Sequence, residues 1–406
     1  MAQNLLRHFS FEVLVGAAMR NKWFPITLIY LYGLVGTSAL GMMGPLSTDI
    51  SRTFGVTASA VGMAIAGQLI PLAFAGLLMG WLIDRIGPRP LLLIGLLAMG
   101  ASSFANSWLE TFDALRITLL IEGVALVSLL TSGQGLLMMF TTGKQQVQSL
   151  TLWSTVMPVG YSIGLLLVSP YAGGDTWREA FLCHAIIAGC LCFVFLGIPG
   201  LRIVSKGNGL TEVLCNKRVL RFGFSLSLSA LAGIGSSAVG AIYLSKIHGM
   251  EMGLAAQSMA VASLCGILGS IIIGGLLAKG WSAALLAMLI LASATIGSFI
   301  FYWPSGVLPF VVGGAMLLQL CVGGFIAFVF SLLPRVLSEP GQSGAAAGLV
   351  GQITGIGAAL SAPLYFTTLQ MGHWYYFVVI TVLAWGASYL LLPMRSRSVS
   401  ATARFE

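Results

Sequence analysis

Twelve runs of mostly apolar residues, each long enough to cross a lipid bilayer, are separated by short polar or glycine-rich turns along this chain of 406 residues. A spanning helix needs about 20 such residues. That length places the runs at 24–47, 57–82, 90–107, 114–140, 150–170, 179–200, 221–245, 254–278, 281–302, 306–333, 345–368 and 374–393. With 57% hydrophobic and only 8% charged residues, the chain cannot present a water-compatible surface as a soluble domain would. Its 51 glycines suit close helix packing in lipid, where the hydrophobic drive between helices is absent.

The net charge of +8 does not signal nucleic acid, because the basic residues are scattered over short loops. An even number of spans puts both termini on one side. With that side cytoplasmic, the opposite face keeps only Arg52, Arg116, Arg178 and Lys246 of the 20 Lys and Arg, a strong positive-inside bias. The expectation is an integral protein of a bacterial cytoplasmic (inner) membrane, surrounded by lipid and monomeric. The segment carrying Arg7, Glu12, Arg20 and Lys22 lacks a signal-peptide cleavage pattern. Six cysteines show no paired-ligand spacing and read as small hydrophobes.

Between the second and third runs lies Gly80-Trp81-Leu82-Ile83-Asp84-Arg85-Ile86-Gly87-Pro88-Arg89. This G-x-x-x-D-R-x-G-x-R pattern resembles the signature of the major facilitator superfamily of secondary transporters. The departure is Pro88, where the family usually has a basic residue, and Arg89 supplies that charge. Asp175 to Phe181 resembles the family's W-R-x-x-F signature through Trp177, Arg178 and Phe181. Asp49, after Pro45, resembles the P-x-x-x-D exit of span one and could belong to an outer gate or be a solvated helix-end charge. The resemblance implies an all-α membrane protein with twelve transmembrane helices in two pseudo-symmetric six-helix bundles. On that reading 1–200 form the N-terminal bundle, 201–220 a cytoplasmic linker and 221–406 the C-terminal bundle. Two internal echoes agree: Gly274 to Gly280 stands where the first half has Gly80 to Gly87, and Gly357 to Phe377 parallels Gly160 to Phe181.

No Gly-rich phosphate loop ending in Lys-Ser or Lys-Thr, no H-E-x-x-H and no C-x-x-C occurs, so neither an enzyme nor an ATP-driven pump is expected, and no cofactor is called for. Glu122 is the acidic residue placed deep inside a span. Inserting a carboxylate there costs about 2.5 to 3.5 kcal/mol. It reads as a proton-coupling site or a counter-charge for a cationic solute, against a plain packing role in which neighbouring Ser, Thr or Gln hydrogen-bond it. Relatives often carry an arginine four residues before the glycine matched by Gly123; here that position is Leu119, and Arg116 can instead pair with Asp113.

The remaining candidates for a solute cavity are neutral: Thr37 and Ser38 in span one, Gln68 in span two, Ser128, Thr131, Ser132 and Gln134 in span four, Tyr161 in span five, Ser236 and Ser237 in span seven, Gln319 in span ten, and Gln352 and Thr354 in span eleven. Each alone is more often a packing hydrogen bond. Tyr30, Tyr32, Trp153, Phe325 and Phe328 could flank a solute. Such a lining favours a neutral, weakly charged or partly apolar small molecule over one that needs an arginine clamp. The expected function is proton-coupled secondary transport of a small organic solute. Drug or metabolite efflux is the alternative, although Leu165 after Gly164 replaces the proline of the family's antiporter motif. A receptor on the same fold would be expected to carry an added domain or a long tail, and only thirteen residues follow Pro393. A copper importer is suggested only by the cluster His248-Gly249-Met250-Glu251-Met252, and no metal site is expected.

Overall fold

A computed structural model describes residues 23–141, 143–194, 214–337 and 343–393. The described residues fold into thirteen α-helices and one short 3-10 turn. In the first half these are α1 (Trp23–Phe54), α2 (Ala58–Ile86), α3 (Pro88–Asn106), α4 (Phe112–Phe140), α5 (Gly143–Trp153), α6 (Val156–Val168) and α7 (Trp177–Val194). The second half has α8 (Lys217–His248), α9 (Met252–Ala278), α10 (Ala283–Tyr302), α11 (Leu308–Leu332), α12 (Ser343–Met371) and α13 (Trp374–Leu391). Eleven of these are long and apolar enough to cross a membrane, and α6 is a shorter apolar helix. Most of the linker, including Arg202 and Lys206, lies outside the described residues.

Span five differs from the single run expected at 150–170: it is broken between α5 and α6 at Ser154 and Thr155. The cause is Pro158, whose ring clashes with the carbonyl four residues back and which has no N–H to give it. The break is held from α1, where the Tyr30 hydroxyl lies 2.7 Å from Thr155 Oγ1. The Pro158 carbonyl, which accepts from the Ser162 hydroxyl at 2.8 Å, also accepts from the second half, from the Ser263 hydroxyl at 3.3 Å. Span one also runs longer than its apolar stretch, to Phe54, carrying Asp49 and Arg52 in its last turns.

The charged hairpin is a one-residue turn. Gly87 sits at φ 86° and donates its N–H to Ile83, ending α2, and Pro88 opens α3. A positive φ is open to glycine at little cost, and proline at the first helical position loses an N–H that would be unpaired anyway. Pro88 is therefore a helix-start residue. In the second half Gly280, at φ 83°, occupies the corresponding turn between α9 and α10. A positive-φ glycine thus recurs there, in a longer link (279–282), where the side chains of the motif do not. The side chains of Gly80's neighbour Trp81 and of Asp84 lie outside what is described; Arg85 is exposed and Arg89 half-buried.

Large apolar side chains point outward along the bundle, among them Phe74, Phe104, Phe193, Ile271 and Phe310. This is the inverse of a soluble protein and fits a lipid surround. One apolar core joins the halves through Ile50, Val61, Trp177, Tyr243, Met252 and Tyr365. A second, with Ile29, Leu92, Leu126 and Trp153, belongs to the first half alone, toward the ends of α1 and α3 where those helices begin. The halves meet from mid-depth to the end opposite the termini. There the Ser162 hydroxyl donates to Ala260 at 2.9 Å, Gln257 donates to Ser169 Oγ at 3.3 Å and the Ser59 and Thr367 hydroxyls lie 3.1 Å apart.

Candidate functional site

Glu122 is fully buried in the middle of the first half, held by three neutral donors from two neighbouring helices. Gln68 Nε2 on α2 donates to Oε2 at 2.9 Å. On the other oxygen, Asn106 Nδ2 on α3 donates to Oε1 at 3.0 Å, and Ser103 Oγ lies 3.1 Å from it. The Thr118 hydroxyl donates to Asn106 Oδ1 and so fixes which end of that amide faces the carboxyl. Among the described residues no Lys or Arg pairs with Glu122. The approach of α2 that brings Gln68 into reach depends on the next residue, Gly123, where a Cβ would come within 2.4 Å of the Gln68 carbonyl oxygen.

The network continues to His184 on α7, also buried. Its Nδ1 lies 2.8 Å from Ser103 Oγ. Its Nε2 lies 3.0 Å from the Val35 carbonyl and 3.0 Å from Ser38 Oγ on α1. A carbonyl only accepts, so Nε2 carries a hydrogen. Five helices, α1, α2, α3, α4 and α7, thus meet at two titratable groups with one hydroxyl between them. Sequence reasoning found Glu122, Gln68 and Ser38 but missed His184, Ser103 and Asn106. The signal available was a lone histidine within an apolar run, weak by itself.

The matched W-R-x-x-F segment builds a clasp at the end opposite the termini. Trp177 is wholly buried, donates Nε1–H to Thr53 Oγ1 at 2.9 Å and meets Phe181 edge to face. Arg178 donates to the Leu109 carbonyl at 2.9 Å, with its guanidinium 4.4 Å over the Trp177 ring. Asp49, almost completely buried, accepts the Gly173 N–H at 2.8 Å and lies 3.5 Å from the exposed Arg52. The clasp ties the exit of α1 to the loop between α6 and α7. Arg116 and Asp113 pair at 3.2 Å, both exposed, where such pairs contribute little.

The other cavity candidates pair locally. Thr37 donates to Gly33 and Val156, Ser236 accepts from the Tyr302 hydroxyl at 2.9 Å, and Gln319 Nε2 donates to Ser237 Oγ at 2.5 Å. Ser128 donates to Leu91, Thr131 to Val127 and Thr354 to Val350. Tyr161 is half-buried and Gln134 exposed. Ser132 Oγ and Gln352 Oε1 are buried atoms without a hydrogen-bond partner. Gln352 stands at the junction of the halves, its Oε1 3.8 Å from where a Gly76 Cβ would be. Of these candidates only Gln68 joins Glu122, and only Ser38 joins His184. Among the described residues no group of three His, Cys, Asp or Glu side chains is placed to hold a metal.

Two helical halves that meet over one end and enclose polar groups at mid-depth have the build of a membrane transporter. The chain belongs to the Major Facilitator Superfamily: the sequence model of that family matches residues 26–362. That family is one of transporters, not of enzymes. The chain is 26% identical over 236 residues to the multidrug transporter MdfA of Edwardsiella ictaluri, covering 54% of this chain and 56% of that one. It is also 25% identical over 146 residues to the 4-hydroxybenzoate transporter PcaK of Pseudomonas putida, covering 36% and 32%. The match thus spans about half or less of the length of these curated relatives. Among solved structures, a bacterial homologue of the human lysosomal transporter Spinster, inward-facing and unoccupied, superposes with a TM-score of 0.76 over 93% of this chain and 97% of that one, at 14% identity. The nucleoside transporter NupG superposes with a TM-score of 0.75 over 90% and 99%, at 15% identity. At these identities the likeness is one of fold.

Proposed function

We propose that this protein moves a small, weakly charged organic solute by alternating access, coupled to protons through Glu122. The observation that carries the proposal is the Glu122 site itself: a carboxyl buried in a bundle core, held by neutral donors and free of any cation among the described residues. A buried carboxyl without a counter-cation is costly as an anion, so the group gains by taking a proton, and that exchange can be tied to a conformational change. Among the described residues the second half has no equivalent. The step along α4 that reaches Glu122 lands in α11 on Leu318, and the steps that reach Ser103 and His184 land in α10 and α13 on Ser298 and Thr381. Proton chemistry is thus assigned to the first half, with Asp49 and Trp177 as parts of the clasp and Gln352 and Ser132 as groups able to meet a solute.

The curated relatives are transporters of drugs and of an aromatic acid by name, which supports an organic solute. The match to a multidrug transporter over half the chain favours efflux of apolar drugs as the second reading. Reconstitution into proteoliposomes with an imposed pH gradient tests both: accumulation of an aromatic acid supports uptake, expulsion of a lipophilic dye supports efflux, and no pH-dependent flux of either class removes proton coupling. Orientation, with both termini in the cytoplasm of a bacterial inner membrane, rests on the charge bias and is tested by labelling Lys246, which should react from outside intact cells.

A further inference from the structure

Glu122 and His184 do not touch; Ser103 stands between them, and its hydroxyl has one hydrogen for two short contacts, 3.1 Å to Glu122 Oε1 and 2.8 Å to His184 Nδ1. His184 Nε2 already spends its hydrogen on the Val35 carbonyl at 3.0 Å. Where Ser103 donates to Glu122, Nδ1 must therefore hold a proton of its own to reach Ser103. Where Ser103 donates to Nδ1, Oε1 must hold one. With neither proton present, one contact brings two acceptors together in a buried site, which is unfavourable. The three side chains are complete only with one proton in excess of a carboxylate and a neutral imidazole.

We infer that His184 is a second proton station and that Ser103 is the wire through which it exchanges a proton with Glu122. This deepens the proposed coupling role of Glu122 and rests on it. In the transfer the O–H bond at Glu122 Oε1 breaks and its proton forms a new bond to Ser103 Oγ. The former Ser103 O–H bond breaks at the same time, and that proton bonds to His184 Nδ1. Glu122 becomes a carboxylate, His184 an imidazolium, and Ser103 ends with its hydrogen facing Glu122; no proton is gained or lost and no group must rotate. Asn106 and Gln68 donate to Glu122 in both states, while the Val35 carbonyl and Ser38 Oγ receive Nε2–H in both. Chains of carboxyl, hydroxyl and imidazole are suited to proton relay inside a membrane.

Other titratable or charged groups on the surrounding helices are Tyr30, Tyr32, Asp49 and Arg52 on α1, Asp84 and Arg85 on α2, Arg89 on α3, Asp113 and Arg116 on α4, and Tyr161 on α6; Tyr30 is turned to Thr155 and Arg52 to Asp49. On α7 itself there are Arg178, Glu179, Cys183, Cys190 and Cys192. Tyr32 is turned to Leu191, Asp49 to Gly173, Arg178 to Leu109 and Cys183 to Tyr171. Among the described residues Glu122 is the carboxyl that shares a hydrogen-bond partner with His184. The relay also ends on α1, the helix that lies against α8 of the other half, where Gly44 faces the Ala238 carbonyl. Moving the positive charge to His184 shifts it from the α2 side of the site, where α12 packs, to the α1 side, where α8 packs.

The test is a pH titration of the full-length protein in lipid, with two readouts: the protonated-carboxyl infrared band removed by Glu122→Gln, and the Nδ1 nitrogen resonance of His184 in 15N-histidine protein. A shared proton makes the two signals change together with one midpoint, as coupled sites do. Ser103→Ala should separate the midpoints by one pH unit or more, a tenfold change in proton affinity, and Ser103→Thr, which restores the hydroxyl, should bring them back together. His184→Gln should lower the carboxyl midpoint by at least the same amount, because Ser103 is then free to donate to the carboxylate. An Nδ1 signal that stays unchanged through the carboxyl transition would overturn the relay and leave Glu122 as a lone carrier. A common midpoint that survives Ser103→Ala would also overturn it. A carboxyl band that never titrates would remove both the relay and the coupling role on which it rests.

Discussion

Gly123 on α4 lies against the carbonyl of Gln68 on α2, so closely that a Cβ would approach the oxygen to 2.4 Å. The contact sets the separation of two helices and, through it, the reach of Gln68 Nε2 to the Glu122 carboxylate one residue away. Backbone on the receiving side cannot rotate out of the way. Gly123→Ala should therefore push the helices apart, cost about 1–3 kcal/mol of overpacking, lower the melting temperature in detergent and weaken proton-driven transport together. An alanine variant with unchanged melting and transport would show that α2 and α4 tolerate more separation than this contact implies.

Gly87 tests the signature turn without touching a charge. At φ 86° a β-branched residue is strained by about 1–3 kcal/mol, and the one-residue link between α2 and α3 has no slack to absorb it. Gly87→Val should reduce transport severalfold while the protein still inserts, and Gly280→Val, at φ 83° but in the longer link 279–282 that has slack to absorb the strain, should have a smaller effect. Initial rates of solute flux per unit of protein in proteoliposomes decide this.

Much of the architecture is legible in the sequence because membrane physics leaves few options: apolar length sets the spans, and a glycine followed by a helix-starting proline sets the turn between α2 and α3. Glu122 is legible for the same reason, since a carboxylate in an apolar run stands out. The rest of its site is not. Ser103 and Asn106 lie in a stretch of small and polar residues near a helix end, and His184 is one imidazole in an apolar helix. Only the packing of α1, α3, α4 and α7 turns them toward a common point. The break at Ser154 is an intermediate case: Pro158 announces it, but an apolar run of spanning length conceals it.

The clasp between Asp49 and Gly173 should hold the exit of α1 to the loop before α7. A backbone N–H to a carboxylate is worth about 1.5–3 kcal/mol, and the carboxylate here is almost fully buried. Asp49→Ala should expose the loop, raising the labelling rate of a cysteine introduced at Gly174 from the side opposite the termini. An unaltered labelling rate would show that Trp177 and Arg178 suffice to hold it.

Ser59 on α2 and Thr367 on α12 bring their hydroxyls to 3.1 Å across the two halves. Cysteines at both positions fall within the reach of a disulfide. Oxidation of the Ser59→Cys, Thr367→Cys pair should stop transport by locking the halves on this side, and reduction should restore it. Full transport by the cross-linked protein would contradict alternating access through this seam.

Glu122→Gln keeps the size and hydrogen-bonding reach of the side chain and removes its proton exchange. Two fluxes measured on vesicles of equal protein content decide the central claim: accumulation driven by an imposed pH gradient, and counterflow of solute between compartments at equal pH. The expected result is loss of accumulation with counterflow preserved. Accumulation that persists at the wild-type rate in the Glu122→Gln protein would contradict proton coupling through Glu122.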